Sequence, residues 1–285
     1  MKFASYALEG RTSWGAVRQG VLHDLGPTGV NTAPSLKAAI ADGLLNEVPL
    51  DGAPTVSLED VTLLPPIPDP DKIMCIGVNY KSHRDEANRD EVAAPTVFTR
   101  FADTQMGHLA PALMPGTTSM FDYEGELALV IGRATQHVSE ADAWSHVAGY
   151  SVYNDFSVRD WQWATSQWTP GKNFPGTGGF GPYLITAQDL GDVSSLTLET
   201  RVNGEVRQSA RISDLIYTIP QIIAHLSAFT PLAPGDVIVT GTPAGVGAFM
   251  DPPRLLQDGD VVEVEISRLG TLVNTVTTVL SQTAV

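Results

Sequence analysis

Two glutamates, Glu124 and Glu126, open an otherwise apolar run, FDYEGELALVIG, from Phe121 to Gly132. In a strand successive side chains alternate faces, so Glu124 and Glu126 share a face with Ala128 and Val130, while Tyr123, Leu127, Leu129 and Ile131 take the other. Both faces then read as buried. At about 3.3 Å of rise per residue the two Cα atoms stand about 6 to 7 Å apart, and two carboxylates that close cannot both stay ionised in a dry place without a cation. A hard metal ion is the simplest compensation; a solvated strand end is the alternative that the same spacing allows. Asp155, closing the β-like run VAGYSVYND, would complete an all-oxygen set suited to Mg²⁺ or Mn²⁺. Its local alternative is to cap a helix over SVRDWQWATSQW, with Arg159 four residues on as its ion-pair partner. Zinc is not indicated, because the lone Cys75 and the scattered histidines show no ligand spacing.

A second pair lies in the polar segment KSHRDEANRDE, which follows the buried-looking strand KIMCIGVNY. His83 and Glu86 stand three apart, so on a helical turn they share a face, and the carboxylate can orient the imidazole as in a general-base dyad. An exposed, charge-laced segment fits the same residues. Lys172 precedes GTGGFG, whose Gly176, Gly178 and Gly181 match a dinucleotide pattern by spacing. Pro182 and the β-like YLIT follow where that fingerprint needs a helix, so a Rossmann site is excluded and a flexible glycine loop behind Lys172 is expected instead. Taken alone, Lys172 reads as a surface residue. Thr242 ends the apolar run DVIVTG, where its hydroxyl can donate to a ligand carboxylate or stabilise a turn.

These residues need a scaffold, and 285 residues suffice for one large core or a large domain with a small companion. The first 25 residues read as a β-meander turning at Glu9-Gly10 and Gln19-Gly20; Ser35 is set to cap a helix over SLKAAIADGLL that ends near Gly43. Four prolines in LPPIPDPDK mark a boundary near residue 70, dividing the chain into a small α/β unit, 1–69, and a catalytic unit, 70–285. Further on, Asn203-Gly204 signals a hairpin, DLIYTIPQIIAHLSAF has helical spacing, and two final strands turn at Leu269-Gly270. A net charge of −15 argues against nucleic acid or an anionic membrane as partner. One cysteine excludes an intrachain disulfide, and with no apolar run of 18 residues the expectation is a soluble cytoplasmic protein.

The segments IGVNYKSHRDE, FDYEGELALVIG, GYSVYNDFSVRDWQ, GKNFPGTGGFGP and LAPGDVIVTGTPAGVG, in that order, resemble the fumarylacetoacetate hydrolase family over most of residues 70 to 281. The resemblance implies an α+β, β-rich fold, a mixed β-roll with a short lid, usually assembled as a homodimer. It implies that Glu124, Glu126 and Asp155 hold Mg²⁺ or Mn²⁺, that His83 and Glu86 form the lid dyad, and that Lys172 stabilises an oxyanion or enolate. Arg159, Gln162 and Thr242 match ligand-facing positions. Arg100-Phe101 stands where many relatives carry lysine and proline, a departure bearing on substrate choice. The run PTVFTRFADTQMGH with GKNFPGTGGFGP resembles the subgroup that hydrolyses 2,4-diketo-3-deoxy sugar acids such as 2,4-diketo-3-deoxy-L-rhamnonate, giving pyruvate and a second acid. Oxaloacetate decarboxylation or tautomerisation, or acylpyruvate hydrolysis, is the alternative on the same fold, and a non-catalytic metal-binding relative is the least favoured.

Overall fold

The structure, a computed structural model, describes residues 1–26, 33–46 and 48–279; the expected end of the last strand at Leu280 lies outside them. The chain opens with β1 (Lys2–Leu8), β2 (Arg11–Arg18) and β3 (Val21–Asp24), turning at Glu9-Gly10 and Gln19-Gly20. All four turn residues have φ between 49° and 78°, the sign that matches the twist of the flanking strands. Helix α1 (Leu36–Ala41) starts where Ser35 Oγ accepts the Ala38 N–H at 3.1 Å, and it buries Leu36, Ala39 and Ile40. β4 (Thr55–Ser57), β5 (Thr62–Leu63) and the proline-rich segment lead to β6 (Ile73–Gly77), helix α2 (Lys81–Glu86) and β7 (Thr96–Arg100).

After β8 (Gln105–Met106) and β9 (Ala112–Pro115), the FDYEGELALVIG run divides into β10 (Phe121–Asp122) and β11 (Gly125–Ile131). Then come α3 (Glu140–Ala143), β12 (Val147–Asp155), β13 (Ser157–Val158), α4 (Arg159–Gln162), α5 (Thr169–Lys172) and β14 (Gly178–Thr186). The chain finishes with α6 (Ala187–Leu190), β15 (Thr197–Val202), β16 (Glu205–Arg211), α7 (Ile219–Phe229), β17 (Val237–Val239), β18 (Val261–Ile266) and β19 (Gly270–Val279). The Asn203-Gly204 hairpin joins β15 to β16 as expected, and Thr218 begins α7 in a capping box with Gln221.

Two sheets carry the fold. The larger runs β4-β3-β2-β1-β14-β12-β11-β17-β6-β7, with β5 on β1 and β8 on β14; the smaller runs β16-β15-β18-β19-β9. Parallel pairs β6–β17, β8–β14 and β9–β19 among antiparallel ones make both sheets mixed. The expected α+β, β-rich class is observed. Every residue of β11 is buried. Leu127, Leu129 and Ile131 pack with α7 and the smaller sheet, and Ala128 and Val130 pack with Phe3, Trp14, Phe180 and Val237.

Two local expectations fail. SVRDWQWATSQW forms only the two-residue strand β13 and the single turn α4, whose N-cap is Val158, so Asp155 ends a strand and caps no helix. Of the glycines after Lys172, Gly176 sits in a turn with φ of 66°, whereas Gly178 and Gly179 lie in buried β14 and pair with Asp155 and Asn154. Strand β12 holds that backbone, which local composition could not indicate.

The boundary expected near residue 70 falls in the proline-rich segment, and both sheet and core run across it: Phe3 pairs with Leu184, and Trp14 and Leu36 share a cluster with Val130 and Val237. A Trp14→Ala substitution, which empties a fully buried site, is expected to cost about 3 to 5 kcal/mol and to shift a single denaturant transition of the whole chain. Two transitions, with only the first displaced, would mean that residues 1–69 fold on their own.

Candidate active site

Strands β11 and β12 pair antiparallel with Gly125 opposite Asn154 and Glu126 opposite Tyr153, which brings Asp155 beside the glutamates. One carboxylate oxygen from each of Glu124, Glu126 and Asp155 falls within 4.8 Å of the others, and all three residues are buried. Burial would raise the Glu124 carboxyl, but Lys172 and Arg159 outweigh it and hold the group at about 2. Glu126 behaves oppositely: burial, then Asp155 and Glu124, push its carboxyl well above the usual range. Its Oε2 accepts the Gly241 N–H. Gly241 can turn that amide inward because its φ of +105° is open to glycine, and a Cβ there would lie 2.7 Å from Asn79 Cβ.

Lys172 is the hub of the cations. Its Nζ donates to Glu124 Oε2 at 2.9 Å, Asp155 Oδ2 at 2.7 Å and Ser157 Oγ at 2.8 Å. Burial would lower its pKa, and Asp155 with Glu124 raise it on balance. It ends α5, which packs on α4 so closely that a Cβ at Gly171 would lie 2.4 Å from the Gln162 backbone N. The surface reading of Lys172 is therefore overturned, since the residue is only 1% exposed. Arg159 pairs with Glu124 through Nη1 and with Asp122 through Nε at 2.9 Å, and its Nη1 also donates to Gln162 Oε1 at 2.9 Å. The Asp155–Arg159 pair expected from their spacing is replaced by Arg159 with Asp122 and Glu124.

The lid dyad forms as its spacing implies. His83 Nδ1 lies 3.1 Å from Glu86 Oε2, and Glu86 Oε1 accepts the Gly245 N–H at 2.9 Å. In the neutral tautomer that donates from Nδ1 to Glu86, Nε2 carries the lone pair. His83, Glu124, Glu126, Arg159, Gln162, Lys172 and Thr242 line one cavity, walled by Phe98, Trp163, Trp168 and Phe249. Its volume is about 30 Å³.

Two expected ligand-facing residues are placed otherwise. Arg100 lies behind the carboxylates, not in the cavity wall: Nη1 pairs with Asp155 Oδ1, and Nη2 donates to Thr177 Oγ1 at 2.7 Å. A guanidinium at 2% exposure is held where buried negative charge needs it. Thr242 lines the cavity, but its hydroxyl donates to the Gly125 carbonyl at 3.0 Å and accepts from Gln208 Nε2 at 2.8 Å, which leaves no proton for a ligand. Sequence reading also missed Asp122, which accepts from Arg159 and from the Tyr123, Gly247 and Ala248 amides. Its place two residues before Glu124 was a usable signal; Ser157, Gln208 and the aromatic wall carried none. His108 stands apart, accepting the Val273 N–H at 3.1 Å.

The donor set fits a hard divalent cation. All three ligand groups are carboxylates, and Glu126, without an ammonium or guanidinium among its hydrogen-bond partners, is the one whose carboxyl burial and its acidic neighbours push above the usual range.

This fold and this acidic, lidded cavity define a class of enzymes, and comparison names it. Residues 72–277 match the family described as fumarylacetoacetate (FAA) hydrolase C-terminal. The chain is 40% identical over 225 residues to the human mitochondrial oxaloacetate tautomerase FAHD2A, covering 78% of this chain and 72% of the other. To the oxaloacetate tautomerase YisK of Bacillus subtilis it is 43% identical over 222 residues, with 76% and 74% covered. Among solved structures, maleylpyruvate hydrolase from Sphingobium sp. SYK-6, in complex with manganese(II) and pyruvate, superposes with a TM-score of 0.82 at 28% identity over 98% of this chain and 99% of that one. The chain belongs to the fumarylacetoacetate hydrolase family. These relatives include mitochondrial and bacterial proteins, and no helix among the described residues is long and apolar enough to cross a membrane.

The Glu126 carboxyl yields a test with a definite sign. Its folded pKa lies above the unfolded one, so the folded state holds the proton longer and stability falls as pH rises from the ordinary carboxylate range towards the folded value. Glu126→Gln removes that loss. The metal-free variant is expected to melt above the metal-free parent at neutral pH, with the gap closing as pH falls, and Mg²⁺ should raise the melting temperature of the parent alone. An undiminished Mg²⁺-induced shift in Glu126→Gln would remove this residue from the metal site.

Proposed function

We propose that this protein is a divalent-metal-dependent tautomerase of oxaloacetate-class 2-oxo acids. The observation that carries the reading is the similarity, at 40% and 43% identity, to two oxaloacetate tautomerases from distant organisms, supported by one cavity lined by His83, Lys172, Glu124 and Glu126, with Asp155 clustered beside the two glutamates. Hydrolysis of 2,4-diketo-3-deoxy sugar acids becomes the second reading, favoured by the His83–Glu86 dyad, which suits activation of water, and by the likeness to a maleylpyruvate hydrolase. Mg²⁺ or Mn²⁺, a homodimer and a cytoplasmic location complete the proposal on the strength of the family resemblance and the buried, unpaired Cys75.

Enolisation moves a proton from C3 of the keto acid while an electron pair shifts onto the C2 oxygen. His83 Nε2, oriented by Glu86, is the base that takes the C3 proton and, as imidazolium, the acid that delivers it to the C2 oxygen of the enol; the reverse direction moves the same proton from that oxygen back to carbon. A cation held by Glu124, Glu126 and Asp155 would supply Lewis-acid stabilisation of the negative charge on that oxygen. Lys172, fixed by three acceptors, adds a positive charge on the floor of the site without having to reorganise. Trp163, Trp168 and Phe249 give the cavity an apolar wall beside the dyad.

The test follows decay of the ultraviolet absorbance of enol-oxaloacetate with Mg²⁺ present, alongside pyruvate release from 2,4-diketo acids. Acceleration of the first is expected, and His83→Ala should slow it about 10²- to 10⁴-fold. Lys172→Ala should slow it as well. Release of pyruvate from a diketo acid with no effect on the enol would reverse the order of the two readings; unchanged tautomerisation by His83→Ala would take the dyad out of proton transfer.

A further inference from the structure

Helix α2 ends in a way that aims one further residue at the cavity. Asn88 takes the left-handed conformation with φ of 49°; its N–H donates to the Asp85 carbonyl at 3.2 Å, and the Arg89 N–H donates to the Arg84 carbonyl at 3.0 Å. This paired arrangement is the Schellman turn, for which asparagine is the usual substitute for glycine, and it folds the chain back over the last turn of the helix. Arg89 thereby comes to line the cavity that holds His83, Glu124 and Glu126, and it also borders the grooves beside Trp168. Arg84 in the same segment is engaged by Asp85 at 3.5 Å and Glu91 at 3.6 Å. Arg89 has no ion-pair partner among the described residues, and it is exposed.

A charge count shows what such a residue can do. On the floor of the site the carboxylates of Asp122, Glu124, Glu126 and Asp155 face the three cations Arg100, Arg159 and Lys172, which leaves one negative charge in excess once Glu126 gives up its proton to take a metal. A divalent cation reverses this to one positive charge, which the carboxylate of a 2-oxo acid neutralises. A second substrate carboxylate finds no compensation there, and Glu86 in the lid makes its surroundings more negative. Arg159 and Lys172, the other cations lining the cavity, are both committed to carboxylates. We propose that Arg89 receives the distal carboxylate of the substrate and makes the site selective for 2-oxo diacids over monoacids and neutral acyl analogues. The inference rests on the reading of this cavity as a 2-oxo acid site, and it names the feature by which a diacid is chosen.

The experiment measures equilibrium binding by quenching of tryptophan fluorescence, since Trp163 and Trp168 line the cavity. Mg²⁺-loaded parent, Arg89→Gln and Arg89→Lys proteins are titrated with oxaloacetate, its 4-methyl ester and oxalate. The first two differ only in the distal charge, and oxalate has no distal group. The parent is expected to bind the diacid about 10- to 100-fold more tightly than the ester, the span of a charge-assisted hydrogen bond. Arg89→Gln should abolish that difference and leave ester and oxalate binding unchanged, and Arg89→Lys should restore part of it. Equal weakening of all three ligands in Arg89→Gln, a diacid preference that survives the substitution, or no preference in the parent would each overturn the proposal. Binding is read at the keto–enol equilibrium and does not depend on catalysis, so Arg89-dependent selection of the diacid in a protein that does not tautomerise it would refute the proposed reaction and uphold this inference.

Discussion

Asp122, Glu124, Glu126 and Asp155 are all at most 6% exposed, and carboxylates taken that far out of water stay charged only where each meets an opposite charge or several donors. The structure supplies those partners to Asp122, Glu124 and Asp155 and leaves Glu126 the Gly241 amide. Lys172 bridges Glu124 and Asp155, Arg159 bridges Glu124 and Asp122, and Arg100 closes on Asp155 from behind. Removing one member leaves a buried charge unmatched, at a cost of about 3 to 5 kcal/mol. The network therefore constrains fold and function together: a side chain that leaves it exposes a charge, and a ligand that enters must preserve the balance.

The sheets make the network possible by fixing where these groups stand. Strands β11 and β12 are central in the larger sheet and buried on both faces, so the carboxylates at their paired ends have little freedom. Two of the three cations come from less regular backbone, Lys172 and Arg159 from helices of a single turn, as does the Gly241 amide from the loop after β17; Arg100 ends strand β7. Burial of anionic side chains on rigid strands, met by cations from short segments that fit around them, is a division that preorganises charge without a large helix near the site. Tyr80, Leu127 and Leu129 anchor the same strands through an apolar core that continues into the smaller sheet.

Legibility in the sequence followed physical range. Signals that act within a few residues were readable: the alternation along FDYEGELALVIG, the Asn203-Gly204 turn, the Ser35 cap, and the three-residue spacing that joins His83 to Glu86. Glu124, Glu126 and Asp155 were also legible, because charge in an apolar strand conflicts with its surroundings and the conflict needs a resolution. Arg100, Thr242 and the glycines of β14 were misjudged, because their partners, Asp155, Gly125 and β12, lie 55, 117 and about 25 residues away in the chain. Arg159 was matched to Asp155 by an i,i+4 rule that presupposes a helix where there is only one turn. Lys172 taken alone resembled any surface lysine, and only the fold shows it at the centre of the charge network.

Tautomerisation, decarboxylation and diketo-acid hydrolysis share an enolate, so the buried charge network cannot by itself distinguish among them: in each case negative charge accumulates on the same oxygen and the same preorganised cations meet it. What differs is the fate of the carbon skeleton, and that is decided at the opposite wall. Hydrolysis needs a water beside the dyad and room for a second acyl fragment; proton exchange needs only a base within reach of C3 and is favoured by dry surroundings. Here the dyad faces a cavity whose wall contains Phe98, Trp163, Trp168 and Phe249, and the His83 ring lies tilted against Phe249 with centroids 5.9 Å apart. Lid, aromatic wall and the exposed cation at residue 89 thus form the variable half of the site, and the carboxylate floor forms the half that any enolate chemistry requires.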